Sequence, residues 1–468
     1  MDKKRIWLHL NYLVIIISCL IVITTVFTSC NRQTAPISAT TNSTVINNTV
    51  SGGIPIDTFP GGSIPGSSST VTGTATYSQS GGMVTKANEI ILASDQNQSA
   101  VKITNSGAYI LTNSTVSTSG NTTSMDDSSF YGLNAAILAE SGSKITLSGV
   151  TITTTGSGAN GVFATGTGSL INLTDVTINC TSTGAHAVDA TNAGTLILTN
   201  VNINTAGNGA SAAIATDRGG GTITVTGGVV NTTGTKSPPI YSTGEITVTG
   251  ATMKATDSEA VAIEGKNSVT LNDTIISGAK NWGVIIYQSM SGDASIGTGN
   301  FTMIGGTLTA AEGPLFYSTN TDAVINLKGA ILVNPSGIIL KASAGDWGTS
   351  GSNGADVIFT ADSETLNGDI ICDNISTVNL TLKNNTILKG DINANNTAKI
   401  MSLTLDGTSI WEVSGTSYLT NLTDTDITLS NIHSNGHTVY YNASASNNSW
   451  LNGKTYDLSG GGKLMPMP

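Results

Sequence analysis

The sequence predicts an all-β fold, a solenoid of short parallel strands stacked coil upon coil. Three observations carry that expectation. The first is a phrase that returns: "LSGVTITTTGSGANG" at Leu147 is echoed by "LTDVTINCTSTGAHA" at Leu173, "LTNVNINTAGNGASA" at Leu198 and "VTGGVVNTTGTKSPP" at Val225. It continues at Val248, Leu271, Met303 and Leu327 in units of about 23 to 32 residues, a length suited to one coil of several strands. The second is alternation within each unit. Ile145, Ile171, Leu196, Ile223, Ile246, Val269, Phe301 and Ile325 form one apolar column, and Leu147, Leu173, Leu198, Val225, Val248, Leu271, Met303 and Leu327 form another two residues on. The third is the column that follows: Gly149, Asp175, Asn200, Gly227, Gly250, Asp273, Gly305 and Gly329. Only residues that tolerate a left-handed backbone occur there, so the chain turns the same corner in every unit. Alternation then restarts at Ile152, Ile178, Ile203, Val230, Met253, Ile276, Leu308 and Leu332.

Along the chain, residues 1–29 read as a targeting leader. Lys3, Lys4 and Arg5 precede an uncharged, mostly apolar run from Tyr12 to Phe27, which ends in Phe27-Thr28-Ser29-Cys30. This end resembles a bacterial lipoprotein signal, with Phe27 standing where Leu is usual. The resemblance implies that Cys30 receives the lipid and becomes the mature first residue. A plain secretory signal and an uncleaved anchor are the alternatives, and all three place the remainder outside the cytoplasm. Residues 30–80 are a Ser/Thr/Asn/Gly/Pro mixture expected to act as a flexible tether. Regular coils are expected over 81–345, less regular ones over 346–462, and a short tail over 463–468.

Bulk composition narrows the function. Of 468 residues only 10% are charged and 5% aromatic, while Gly numbers 54, a profile of many strands and turns and too rich in Val, Ile and Leu for disorder. The net charge is −11, and because Asp2, Lys3, Lys4 and Arg5 carry +2, the chain beyond the leader carries about −13. Sparse, scattered cations on an acidic chain argue against a nucleic-acid partner. With Cys19 in the leader and Cys30 at the lipid, Cys180 and Cys372 remain. They lie several coils apart, beyond the ~7 Å reach of a disulfide, so no bridge is expected.

On these columns the body resembles the right-handed parallel β-helix of the pectate-lyase-like superfamily, and right-handedness is carried over from that resemblance. The passage from Ile400 to Ile432, with "LTLDGTSIWEVSG", is similar to late coils of autotransporter passenger domains. The superfamily contains polysaccharide lyases and hydrolases, so the resemblance implies that catalysis must be tested for. Lyases need an Arg or Lys base with carboxylates clustered about calcium. The outward columns Thr151, Thr177, Asn202, Val229, Thr252, Ile275, Thr307, Ile331 and Thr153, Asn179, Asn204, Asn231, Lys254, Ser277, Thr309, Val333 hold no carboxylate. Arg218, beside Asp217, reads as a loop ion pair. Asn320-Thr321-Asp322 matches one motif of the polygalacturonases, but Asp126-Asp127 precedes it and the His-Gly and Arg-Ile-Lys motifs are missing. Asp257, Glu259 and Glu264 read as solvated charges, and His186, His433 and His437 as isolated, with no second metal ligand at useful spacing. No catalytic residue, no metal ligand and no cofactor is therefore assigned; calcium is compatible with such a scaffold, but no motif indicates it.

Binding has more support. Ile240-Tyr241-Ser242-Thr243, Ile286-Tyr287-Gln288-Ser289 and Phe316-Tyr317-Ser318-Thr319 align, which would put Tyr241, Tyr287 and Tyr317 in one column. Facing outward, such a row suits sugar, with rings stacking on the apolar face and Asn, Ser and Thr meeting hydroxyls. Facing inward, it joins Phe163, Ile214 and Ile263 in the core, the arrangement the apolar neighbours favour. Trp282 and Trp347 fall in loops where an indole can serve a ligand, and Trp411 reads as core. The expectation is a lipid-anchored, non-catalytic, adhesin-like surface protein that contacts polysaccharide or cell-surface glycans through repeated weak sites. The competing expectation is a polysaccharide lyase or hydrolase whose site is built by loops such as Asn121 to Tyr131 and Gly345 to Asp356.

Overall fold

A computed structural model of the chain describes residues 71–209 and 211–468; the leader, Cys30 and most of the expected tether lie outside the described residues. The described chain is a right-handed parallel β-solenoid of about 16 coils. Each regular coil contributes one strand to each of three sheets, of twelve, fourteen and ten strands. Beyond Val333 the third sheet gives way to a separate four-stranded one, starting at Thr365–Asn367. The first strand, Thr74–Ser80, lies just ahead of Gly81, where the sequence pattern becomes regular.

The apolar columns stack in the predicted register. In the second sheet Ile145 pairs with Ile171, Ile171 with Leu196 and Leu196 with Ile223, and the run continues to Ile325. These side chains are buried and contribute roughly 1.5 to 3 kcal/mol each. Three rings continue the core toward the C-terminus, Phe301 against Phe316 and Phe316 against Phe359, each at 5.6 Å between centroids. All eight residues of the corner column have positive φ, between 45° and 67°. The corner is therefore a backbone requirement, met by Gly, Asn or Asp.

Cys180 and Cys372 are buried and unpaired, as their separation along the stack requires. Trp411 is fully buried, its indole N–H donating to the Gly390 carbonyl at 2.9 Å. At the C-terminal end the stack closes differently. Tyr456–Asp457 pairs antiparallel with Lys463–Pro466, which itself pairs parallel with Thr438–Tyr441, so the last residues form a capping strand.

The sheets differ in what covers them outside. The outer face of the third sheet is bare and mixed: Ile90, Leu92, Val229, Ile275, Ile331 and Val333 are exposed on it, and an amide ladder runs from Asn179 through Asn204 to Asn231 at 3.0 and 3.2 Å. The central part of the first sheet is covered. Within the segment expected as a loop, Met125–Tyr131 is a helix, N-capped by Ser124 and ended by Gly132 at φ 72°. Gly132 sits so close to Phe163 that a Cβ there would fall 2.7 Å from the ring. The Thr191 hydroxyl donates to the Phe130 carbonyl at 2.8 Å, tying the helix to the sheet. Covered on both faces, this sheet's strands lose the simple alternation of the other two: all four residues of Val162–Thr165 and of Val261–Glu264 are buried.

Candidate functional site

The covered sheet carries the chemistry. One outward column runs Phe163, Asp189, Ala215, Tyr241, Ala262, Ile285, Tyr317 and Lys341. A second, two residues on, includes Glu264, Tyr287 and Thr319. This corrects the tyrosine alignment: Tyr241 and Tyr317 share a column, but Tyr287 belongs to the next. It also corrects the inward alternative, because Ile214 and Ile263 lie in the core while the tyrosines are on the outside. Phe163 does share the column, and it packs in its own small cluster with Ala135 and Leu138.

The expected aromatic residues come together as two pairs. Trp282 stacks on Tyr317 at 5.1 Å with 22° between planes, and Tyr287 meets Trp347 at 4.6 Å and 41°. Tyr317 is buried under Trp282, with its hydroxyl donating to the Ala344 carbonyl at 3.3 Å, whereas Trp282, Tyr287 and Trp347 remain half-exposed. The Lys341 ammonium lies 5.4 Å from the Tyr317 ring centroid. Next to this ledge, beyond Tyr287 and the Trp347 loop, opens a cleft of about 700 Å³ whose walls include Gln288, Asn320, Asp322, Asp356 and Lys399. Asp322 and Asp356 are paired residues of successive coils, so two carboxylates stand side by side in it.

Tyr241 packs in the same aromatic group and reaches a buried polar cluster. Its hydroxyl donates to Glu264 Oε2 at 2.8 Å, and the hydroxyls of Ser289 and Ser291 donate to Oε1. Glu264 is 2% exposed, and burial raises its carboxyl above the usual range despite these donors. Burial and the Glu264 charge push the Tyr241 hydroxyl well up. Arg218 pairs with Asp293 at 2.9 Å and lies 3.7 Å above the Phe130 ring, so its ion partner comes from a distant loop and not from neighbouring Asp217. Asp217 instead accepts the Arg218 backbone N–H at 2.8 Å.

Below Arg218 lie His186, Asp189 and Asp217, their ligand atoms within 4.8 Å of one another and all buried. This corrects the reading of His186 as isolated. Burial drives the Asp189 and Asp217 carboxyls well above their usual range, reinforced by Asp217 at the first and by Asp293 at the second. Burial lowers the His186 imidazole to about 4, with its Nδ1 3.0 Å from the Ala212 carbonyl oxygen.

Sequence reasoning missed this cluster for a definite reason. The two outward columns it searched both belong to the third sheet, whereas the acids project from the first. Glu264 and Glu259, read as solvated, are buried. Of the other histidines, His433 pairs with Glu412 at 2.8 Å on the surface. Chemically the two regions differ. The aromatic ledge is half-exposed and the cleft opens beside it, whereas His186, Asp189 and Asp217 are buried.

No protein-family model matches the chain, and no curated protein matches its sequence. Fold and surface define the class: a parallel β-solenoid with a buried acidic cluster, a half-exposed aromatic ledge and a polar cleft.

Proposed function

We propose that this protein binds polysaccharide without cleaving it, as a secreted, lipid-anchored member of a pectate-lyase-like, adhesin-like class of surface proteins. The observation that carries this reading is the half-exposed aromatic group of Trp282, Tyr287 and Trp347, which ends next to Gln288 in the wall of the polar cleft. Half-exposed indole and phenol faces offer flat apolar surfaces on which pyranose rings stack. Gln288, Asn320, Thr321 and the carboxylates of Asp322 and Asp356 offer partners for sugar hydroxyls. Lipid attachment at Cys30 and an extracytoplasmic surface location rest on the leader sequence.

The test is depletion. Protein is incubated with insoluble plant, algal and bacterial polysaccharides, with and without calcium, and the supernatant is assayed for protein and for released sugar. Depletion without release is the expected result and names the ligand class. Trp347→Ala should weaken that binding by about tenfold with the far-ultraviolet circular dichroism unchanged. Released oligosaccharide would overturn the non-catalytic reading and turn attention to the paired Asp322 and Asp356. Absence of depletion on every polysaccharide would sink the binding reading.

A further inference from the structure

We infer that His186, Asp189 and Asp217 form a buried binding site for one divalent first-row transition-metal ion of the Zn²⁺ class, which staples two successive coils of the solenoid. Among the described residues this is the one group of three such side chains whose ligand atoms all lie within 4.8 Å of one another. It stands apart from the aromatic ledge and does not depend on polysaccharide binding.

The argument begins with Asp189. It is 0% exposed, in the middle of a strand covered on both sides, and neither carboxylate oxygen has a hydrogen-bond partner. A buried carboxyl with nothing to meet it is costly whether it stays ionised or takes a proton, and a bound metal ion removes that cost. The nearby guanidinium does not serve: Arg218 sends Nη2 to Asp293, and neither its buried, unpartnered Nε nor any other of its nitrogens reaches Asp189. What does face Asp189 is a second buried carboxylate and an imidazole. Two carboxylates and a nitrogen donor concentrated in one dry place form a ligand set for a cation.

The imidazole is already set for that role. Its Nδ1 lies 3.0 Å from the Ala212 carbonyl, which accepts only from N–H. That contact places the proton on Nδ1 and the lone pair on Nε2, the arrangement in which a backbone carbonyl orients a metal-binding histidine. The backbone is equally fixed: Asp189 lies within strand Val188–Thr191, His186 shortly precedes that strand, and Asp217 directly follows strand Ile214–Thr216 of the next coil.

Donor chemistry selects the ion. One nitrogen and two carboxylates suit Zn²⁺ and its neighbours, whereas Ca²⁺ seeks six to eight oxygens. Around Zn²⁺ at roughly 2.0 to 2.2 Å, tetrahedral donors stand about 3.4 Å apart. The three groups therefore need to close by an ångström or so, within the reach of side-chain rotation. Three protein donors leave a fourth position for water.

The test uses the purified protein without any histidine tag. After stripping with chelator, Zn²⁺ is titrated against a chromophoric competitor, and Co²⁺ is added separately for its visible spectrum. One equivalent of Zn²⁺ per chain is expected, with an intense Co²⁺ band of low coordination number. The near-isosteric Asp189→Asn should weaken Zn²⁺ binding by about 100-fold. Should that variant not fold, as judged by circular dichroism, His186→Gln makes the same comparison. The surface double variant His433→Ala/His437→Ala should bind as the native protein does. The site is overturned if the native protein takes up no Zn²⁺ at about 100 times the micromolar range, if Asp189→Asn binds undiminished, or if the surface double variant abolishes binding.

Discussion

At the scale of single residues, the structure turns on polar groups held in dry places. Glu364 shows the rule away from the candidate site. Its Oε1 accepts the Ala330 backbone N–H at 2.8 Å, while Oε2 is buried without a partner. Burial raises its carboxyl to about 7 from an ordinary value of 4.5. A raised carboxyl favours the protonated folded state, so its contribution to stability is full below pH 4.5 and is lost as pH rises through about 7. Glu364→Gln keeps an oxygen for Ala330 and removes the charge. It should stabilise the protein at pH 8 by on the order of 2 kcal/mol and change little at pH 4, as read from chemical denaturation at the two pH values. Equal effects at both would show that the carboxyl titrates normally.

At the scale of the element, the corner between the second and third sheets is the repeated device. The column tolerates Asn and Asp at Asn200, Asp175 and Asp273, so positive φ there does not by itself demand Gly. Space decides at the next position. Around Gly250 nothing lies within 4 Å of a built Cβ, whereas at Gly228, φ 89°, a Cβ would fall 2.2 Å from the Val201 carbonyl oxygen. Gly250→Asn should therefore leave the thermal midpoint nearly unchanged, and Gly228→Ala should destabilise by more than about 2 kcal/mol. Comparable losses from both would mean that the corner is constrained by something other than the carbonyl of the preceding coil.

At the scale of the whole molecule, stability comes from neighbour-to-neighbour stacking and not from long-range covalent links. Cys180 and Cys372 are buried, and burial pushes both thiols up to about 12, so they are neither bridged nor reactive. Reductant should leave the unfolding midpoint where it is, and both thiols should react with a maleimide only after denaturation. Labelling of either thiol in the native protein would show that the stack opens locally at that coil. The same stacking repeats any outward column along the axis, at about 4.8 Å per coil.

The fold was legible because two of the three sheets expose one face to water. There alternation is clean, as in Ile145 and Leu147 or Ile152, and the left-handed corner between those sheets marks the register in each coil. The first sheet was not legible. Strands buried on both faces read as continuous apolar runs, and "VIIY" at Val284–Tyr287 gives no sign of which residue points outward. That is why Tyr287 was placed one column away from its true position, and why acids on that sheet were never compared. Sequence alone thus determined the solenoid, its core columns, its corners and the unbridged cysteines, since each follows from local periodicity and backbone tolerance. Only the tertiary structure decided that the tyrosines face outward beneath a cover. It also decided that His186, Asp189 and Asp217 meet, because residues of different coils are brought together by stacking and by covering segments whose lengths no local pattern records.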